Sequence, residues 1–127
     1  PNIHVVDYQP ISMMPCIYAT TDVFYVGQQP EAHADGIPSK IYRIFGNKKP
    51  ILAVTAGDSD LANCIRQAKG GVIVTDNDPG ALADTVVSLS ESPERVRKYG
   101  NNGYAYVQKF SRTSVSRSYD QLIRSVC

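Results

Sequence analysis

Four short runs of β-branched and aromatic residues constrain the fold of this chain more than any other feature. Their positions are largely apolar one after another, which is typical of strands covered on both faces in a parallel sheet. Segments with apolar residues at helical spacing lie between them, as a series of βαβ units requires. The sequence therefore predicts an α/β fold with a parallel sheet of about four strands and flanking helices. The predicted strands are Ile3–Val6, Val23–Val26, Ile51–Thr55 and Val72–Thr75.

The segments between the runs carry helix signals. A first helix is predicted near Ser12–Ala19, and a second over Pro38–Gly46, with Lys40 and Arg43 on its side away from the sheet. The next helix is expected to stop at Gly70, because glycine readily takes the left-handed conformation that follows many helices. Capping residues, two of them followed by proline, predict three more helix starts at Asp78, Ser92 and Ser111.

Length and composition indicate one ordinary domain. The 127 residues suffice for a single core, and the net charge of +1 argues against nucleic acid or an anionic membrane as a partner. No apolar run approaches the ~20 residues of a membrane span. The three cysteines lie far apart with no neighbouring histidine, which favours reduced thiols over a metal site or disulfides. We therefore expect a cytoplasmic protein that binds no metal.

One long irregular segment, Gly27–Ile37, follows a predicted strand and precedes a predicted helix. In open parallel sheets, ligands bind beyond the carboxyl ends of the strands. A loop of this length is longer than a plain connection between a strand and a helix needs. It is therefore the predicted functional segment, with Ala56–Asp58 as its expected neighbour in the same crevice.

The residues from Asp35 to Arg43 suit an anionic ligand. Gly36 allows the backbone to approach a ligand closely, and the amides that follow lie at the start of a predicted helix. Lys40 and Arg43 are three residues apart and project from one side of that helix. Cations at this end oppose the helix dipole, and a bound phosphate would reverse that penalty. The alternative is that both side chains are solvated or paired with Asp35.

The order of short motifs from Tyr18 to about Tyr119 resembles the C-terminal domain of family-four glycosyltransferases. The fold implied is a Rossmann-like domain, the C-terminal half of a GT-B fold truncated at its N-terminal side. Residues 1–127 would then form a single partial domain that binds the nucleotide-sugar donor. The matching pieces are Tyr18–Val26, Gly36–Lys40, Asn47–Val54, Lys69–Val74, Asp78–Ala83 and Tyr99–Gly103. The Pro-Ser-Lys of residues 38–40 is similar to the branch that acts in bacterial surface-polysaccharide assembly.

The resemblance also implies site residues. Two glutamates of the family contact the donor, and the matching positions here are Asp35, the expected catalytic residue, and Arg43. Arg43 cannot accept hydrogen bonds from ribose hydroxyls, but it can bind a phosphate or stack on a base. The expected substrate is a nucleotide-diphosphate sugar, with no metal or other cofactor, and transfer retains the anomeric configuration. The substrate-binding residues implied are Gly36, Ile37, Pro38, Ser39, Lys40 and Arg43.

The resemblance covers only part of the family's fold. The acceptor half and the opening βα units of the donor half are absent from the chain, so this fragment is expected to be inactive alone. The missing acceptor domain is an expected partner, and any contact with the inner face of the membrane would be made through the missing half. A sheet edge left unpaired would favour self-association.

Two other classes of protein remain open on the sequence alone. The chain would be a non-catalytic binding or assembly module if Arg43 marks a lost ribose site. It would be a flavodoxin-like signalling domain if the βα pattern is taken by itself, although the first predicted strand is followed by a single aspartate, Asp7. His33, between Glu31 and Asp35, is interpreted as a solvated loop histidine rather than a metal ligand or acid–base group.

Overall fold

The computed structural model describes residues 3–28, 36–75 and 78–126. Its centre is a parallel sheet in the order β1 (Phe24–Gly27), β2 (Ile51–Val54) and β3 (Gly71–Val74). Each strand is the hydrogen-bonded neighbour of the next strand along the chain. The predicted α/β class with a parallel, helix-flanked sheet is therefore confirmed.

In the described ranges, helices lie between the strands and make up most of the chain after β3. They are α1 (Met14–Thr20), α2 (Lys40–Gly46), α3 (Asp60–Ala68), α4 (Pro79–Ser90), α5 (Pro93–Val107) and α6 (Arg112–Val126). Two single 3₁₀ turns, Ile11–Met13 and Gln108–Phe110, precede α1 and α6. In the described ranges, no helix is both long and apolar enough to cross a membrane.

The first predicted strand, Ile3–Val6, is wrong. These residues form no strand, and their side chains are exposed, with Val5 at 96% of its full accessible area. A strand needs a neighbour for its backbone hydrogen bonds and a surface for its side chains. The described part of the chain offers this segment neither, so the sheet has three strands there rather than four.

One face of the sheet is thickly covered. Val26, Ile51 and Ala53 point to this face, and α2, α3 and α5 pack over them. Phe45 of α2 is completely buried in this cluster. Burying one such side chain contributes roughly 1.5–3 kcal/mol, so this layer provides most of the hydrophobic stabilisation.

Helix α5 comes unusually close to the turn after α2. A side chain at Gly100 would overlap the backbone carbonyl of Lys48. Only glycine allows this contact, which brings α5 against the packed face.

The opposite face carries a smaller cluster. Leu52, Val54 and Val74 are buried there, and α4 covers them from the β3 side. Tyr25 of β1, on the same face, remains 59% exposed. The coverage of this face therefore ends before it reaches β1.

Several helix ends match local chemistry in the sequence. The Asp78 carboxylate accepts hydrogen bonds from the backbone N–H groups of Gly80 and Ala81, at 2.8 and 3.1 Å. Ser111 Oγ accepts one from the N–H of Ser114 at 3.2 Å. The starts predicted at these two caps are confirmed, as is the start of α5 after Ser92, which makes no side-chain cap bond.

The end of α3 differs from its prediction. The left-handed residue is Lys69, with φ 48°, and not Gly70. The left-handed region is accessible to residues other than glycine at a modest cost. The helix therefore ends one residue before the expected stop.

Candidate functional site

The candidate site lies where the parallel strands end. Because β1, β2 and β3 run in the same direction, the residues that follow them meet at one edge of the sheet. The hydrogen-bonded ladder continues one residue beyond the strands, from the Gln28 N–H to the Val54 carbonyl and from the Thr55 N–H to the Val74 carbonyl. These two bonds fix the positions of Gln28 and Thr55 at this edge.

Three polar side chains at this edge are linked in series by hydrogen bonds, and we call them the polar chain: Gln28, Thr55 and Ser59. The Thr55 hydroxyl donates to Gln28 Oε1 at 3.0 Å, and Thr55 Oγ1 lies 2.9 Å from Ser59 Oγ. A hydroxyl carries one hydrogen, so Ser59 must be the donor to Thr55. Ser59 Oγ in turn accepts from the Ala62 N–H at 3.0 Å, where it caps α3. Each hydrogen bond in the series is therefore donated from the α3 side towards the β1 side.

The chain of bonds reaches the predicted site through the Gln28 amide. Gln28 Nε2 donates to the carbonyl oxygen of Gly36 at 3.3 Å. Gly36 has φ +70°, and the space beside its Cα is open. Gly36 thus lies at the carboxyl edge of the sheet, tied to β1 and through it to α3.

The rest of the predicted segment leads from this edge into α2. Ile37 packs partly against the core of the covered face, and Pro38 is half-buried. The Pro38 carbonyl accepts from the Ile41 N–H at 3.0 Å. Ser39 is exposed and its side chain forms no capping bond.

The second helix begins at Lys40, two residues later than predicted. Ser39 has helical dihedral angles, but Gly36 does not, and the residue before a proline is disfavoured in the helical region. Residues 36–38 therefore form an irregular approach to α2 rather than its first turn.

The two predicted cations lie on the outer side of α2. Ile41, Ile44 and Phe45 are buried, while Lys40 and Arg43 are exposed, as predicted for these two cations. Within the described ranges, neither cation forms an ion pair. Both are therefore accessible to an anion from solvent.

Part of the predicted site lies outside the described residues. Asp35, the expected catalytic residue, falls there, together with Glu31 and His33. Their roles remain predictions.

The structure adds residues that the sequence did not single out. Ser59 caps α3, and its hydroxyl belongs to the polar chain. A serine directly before a helical segment is a capping signal that could have identified it. No local pattern distinguishes Gln28 or Thr55, because each is defined by a partner on another loop.

The buried cysteine is not a nucleophile candidate. Desolvation raises the pKa of the Cys64 thiol, which outweighs a hydrogen bond to Tyr106 and the charge of Lys109. The pKa of the Tyr106 hydroxyl is also raised by burial and by its neighbour Cys64. Both groups stay protonated near neutral pH, and they face the packed side of the sheet rather than its carboxyl edge.

A mostly apolar cleft of about 890 Å³ lies at the other, amino-terminal edge. Tyr25 and Leu52 of the sheet, Leu82 of α4 and the turn residues Lys48 and Lys49 are among the residues that line it. None of residues 36–43 lines this cleft. It is separate from the predicted site and results from the partial coverage of the second face.

Comparisons with known proteins support the fold. No protein-family model and no curated protein matches the chain. Among solved structures, it is similar to a sucrose-phosphate synthase from Thermosynechococcus elongatus, with a TM-score of 0.68 and 22% sequence identity. The match covers 87% of this chain and 26% of that enzyme, so the chain spans about a quarter of its length. The chain therefore has a glycosyltransferase-like, Rossmann-like fold.

Proposed function

We propose that this chain is the donor-binding part of a glycosyltransferase. In the longer protein, a sugar would move from a nucleotide diphosphate to a hydroxyl acceptor, with retention at the anomeric carbon. The glycosyltransferase-like fold supports this class of reaction. Since the chain spans only a quarter of the enzyme that it matches, transfer is proposed for the longer protein and donor binding for this chain.

One observation carries the proposal: the irregular segment 36–38 lies at the carboxyl edge of a parallel sheet and leads into α2, whose outer side exposes the cations Lys40 and Arg43. Ligands of open parallel sheets bind at this edge. Two cations without an ion pair in the described ranges suit the two charges of a diphosphate, to which they can donate charge-assisted hydrogen bonds.

Each predicted residue has a defined part in this proposal. Lys40 and the backbone from Gly36 to Ser39 would hold the diphosphate and stabilise it as it leaves, which is an electrostatic contribution to catalysis. Asp35 would accept hydrogen bonds from the sugar hydroxyls. Arg43 would contact a phosphate or stack on the base, since a guanidinium cannot accept from ribose. No metal or other cofactor is required, and a role in surface or exopolysaccharide synthesis follows from the Pro-Ser-Lys resemblance.

The test is binding of nucleotide-diphosphate sugars by the 127-residue chain. Isothermal titration calorimetry with UDP-, GDP- and dTDP-sugars should give saturable binding for one nucleotide class. The double variant Lys40→Ala/Arg43→Ala should weaken that binding about tenfold or more, because charge-assisted contacts to phosphate are lost. The matched control is Lys98→Ala, which removes an exposed cation of α5 and should leave the affinity unchanged.

The outcomes separate the alternatives. Failure of every nucleotide sugar to bind, or equal loss in the Lys98→Ala control, would contradict the proposal. Binding of the donor by a longer protein that shows no sugar transfer would instead favour the non-catalytic module suggested by Arg43.

A further inference from the structure

The polar chain at the carboxyl edge includes the buried polar residues Thr55 and Ser59, which are 5% and 4% exposed. Buried hydroxyls are retained in proteins when their hydrogen bonds are satisfied, and every buried side-chain polar atom in the described ranges has a partner. The Ser59 hydroxyl also caps α3, whereas valine would fill the Thr55 position without any such requirement. The Thr55 hydroxyl therefore needs an explanation beyond packing.

The Gln28 side chain is held at both ends of its amide. The amide oxygen accepts from the Thr55 hydroxyl, and the amide nitrogen donates to the Gly36 carbonyl. Rotating the amide by half a turn would set two acceptors against each other at Gly36, because a carbonyl oxygen cannot donate. The Gly36 carbonyl thus selects the orientation of Gln28, and the hydrogen bond from Thr55 holds the amide oxygen in place.

The Gln28 amide in turn orients the peptide that joins Gly36 to Ile37. The carbonyl of Gly36 is directed towards the sheet by its bond to Gln28 Nε2. The peptide is trans, so the N–H of Ile37 points the opposite way, away from Gln28. This N–H has no acceptor among the residues that the structure describes.

We infer that Thr55, Ser59 and Gln28 are positioning residues that hold the Gly36–Ile37 peptide with its N–H available to a ligand at the carboxyl edge. The inference rests on the proposed function for the identity of that ligand, an anionic nucleotide diphosphate. The geometric part, a peptide held through Gln28 by two buried hydroxyls, stands without a ligand. Fixing a donor before the ligand arrives removes part of the ordering cost of binding.

Two variants break different links of the same chain. Thr55→Val keeps the shape of the side chain but removes the donor to Gln28. Gln28→Glu can still accept from Thr55, but it cannot donate to the Gly36 carbonyl. Thr55→Ser keeps the hydroxyl and should rescue. The matched control is Thr85→Val, because the Thr85 hydroxyl donates within α4 to the Ala81 carbonyl at 2.7 Å and has no part in the chain.

The experiment measures backbone order first, without ligand. Amide ¹H–¹⁵N NOE values of Gly36 and Ile37 should fall in Thr55→Val and Gln28→Glu, and should keep the wild-type values in Thr55→Ser and Thr85→Val. Unchanged values at Gly36 and Ile37 in both breaking variants would overturn the inference. If Thr55→Val fails to fold, Gln28→Glu still tests the inference, because Gln28 is only half-buried and tolerates substitution better.

Calorimetry with UDP and GDP then links the chain of bonds to the ligand. The nucleotide that binds wild type should bind Thr55→Val about two- to tenfold more weakly, with recovery in Thr55→Ser. Unchanged affinity in Thr55→Val would overturn the role in binding. Absence of binding by wild type would count against the proposed function, while the NOE result would still decide whether Thr55 and Gln28 order the peptide.

Discussion

The two faces of the sheet are built from the same three strands but are covered very differently. On one face, α2, α3 and α5 bury ten residues into a continuous cluster that includes Phe45 and Leu61. On the other, the buried cluster holds three residues under α4, and Tyr25 stays largely exposed. Short central strands are stable in this chain because one thick layer, rather than two, supplies the burial.

Exposed apolar side chains lie outside the packed face, in two parts of the chain. Residues 3–8 expose Ile3, Val5 and Tyr8, and α6 exposes a stripe that includes Leu122 and Ile123. Helix α6 packs chiefly against the Gln108–Phe110 turn. The packed face therefore provides most of the stability, whereas the second face, the N-terminal segment and α6 contribute little to it.

The largest expected effect is on the packed face. Phe45→Ala should lower the free energy of unfolding by about 3–5 kcal/mol, because it leaves a cavity among completely buried residues. Tyr25→Ala, on the open face, should cost below about 1 kcal/mol. Urea unfolding followed by circular dichroism measures both. Equal losses in the two variants would break the distinction between the faces.

A smaller effect is expected at the close approach of α5. Gly100→Ala should cost about 1–3 kcal/mol, since its Cβ would overlap the Lys48 carbonyl and push α5 off the packed face. Gly46→Ala is the matched control, because nothing lies within 4 Å of its Cβ position, and it should be neutral or slightly stabilising. The same unfolding curves apply. Tolerance of Gly100→Ala would show that this contact can relax.

The N-cap of α4 tests the stability of the open face, which this helix partly covers. Asp78→Ala removes an acceptor of two backbone N–H groups and should cost about 1 kcal/mol. Asp84→Ala, in the exposed middle of the same helix, should change stability by less than about 0.5 kcal/mol. Thermal unfolding midpoints resolve the difference. A loss of several kcal/mol in Asp78→Ala would mean that the open face depends on α4 more than its burial indicates.

The smallest effect is expected in α6. Leu122→Ala should change the free energy of unfolding by less than about 0.5 kcal/mol, because the side chain is 59% exposed. Leu61→Ala, the same substitution at a completely buried position, should cost about 2–5 kcal/mol. Sedimentation at several concentrations accompanies the unfolding curves. A large loss in Leu122→Ala that depends on protein concentration would reveal that α6 is covered by a second copy.

Local sequence determined those elements whose partners lie close along the chain. The runs at Ile51–Thr55 and Val72–Thr75 predicted β2 and β3, which pair with each other, and Asp78-Pro79 predicted the start of α4. The same kind of run at Ile3–Val6 failed, because a strand also requires a neighbouring strand, which no local pattern encodes.

The site was predictable only in part for the same reason. The cations Lys40 and Arg43 follow from helical spacing, and the structure exposes both. Gln28 and Thr55 are 27 residues apart in the chain, and their bond arises from the parallel pairing of β1 with β2. When the partner of a side chain is set by the tertiary structure, the sequence around that residue does not identify it.

The strand order has a consequence for how the chain folds. Among the residues that the structure describes, β1 pairs with β2 and β2 with β3, so neighbours in the sheet are also consecutive strands of the chain. Each pairing therefore closes only the connection between two consecutive strands, and loop-closure entropy grows only slowly with such lengths. The sheet can grow by one β–α step at a time from either end, without waiting for distant segments to meet.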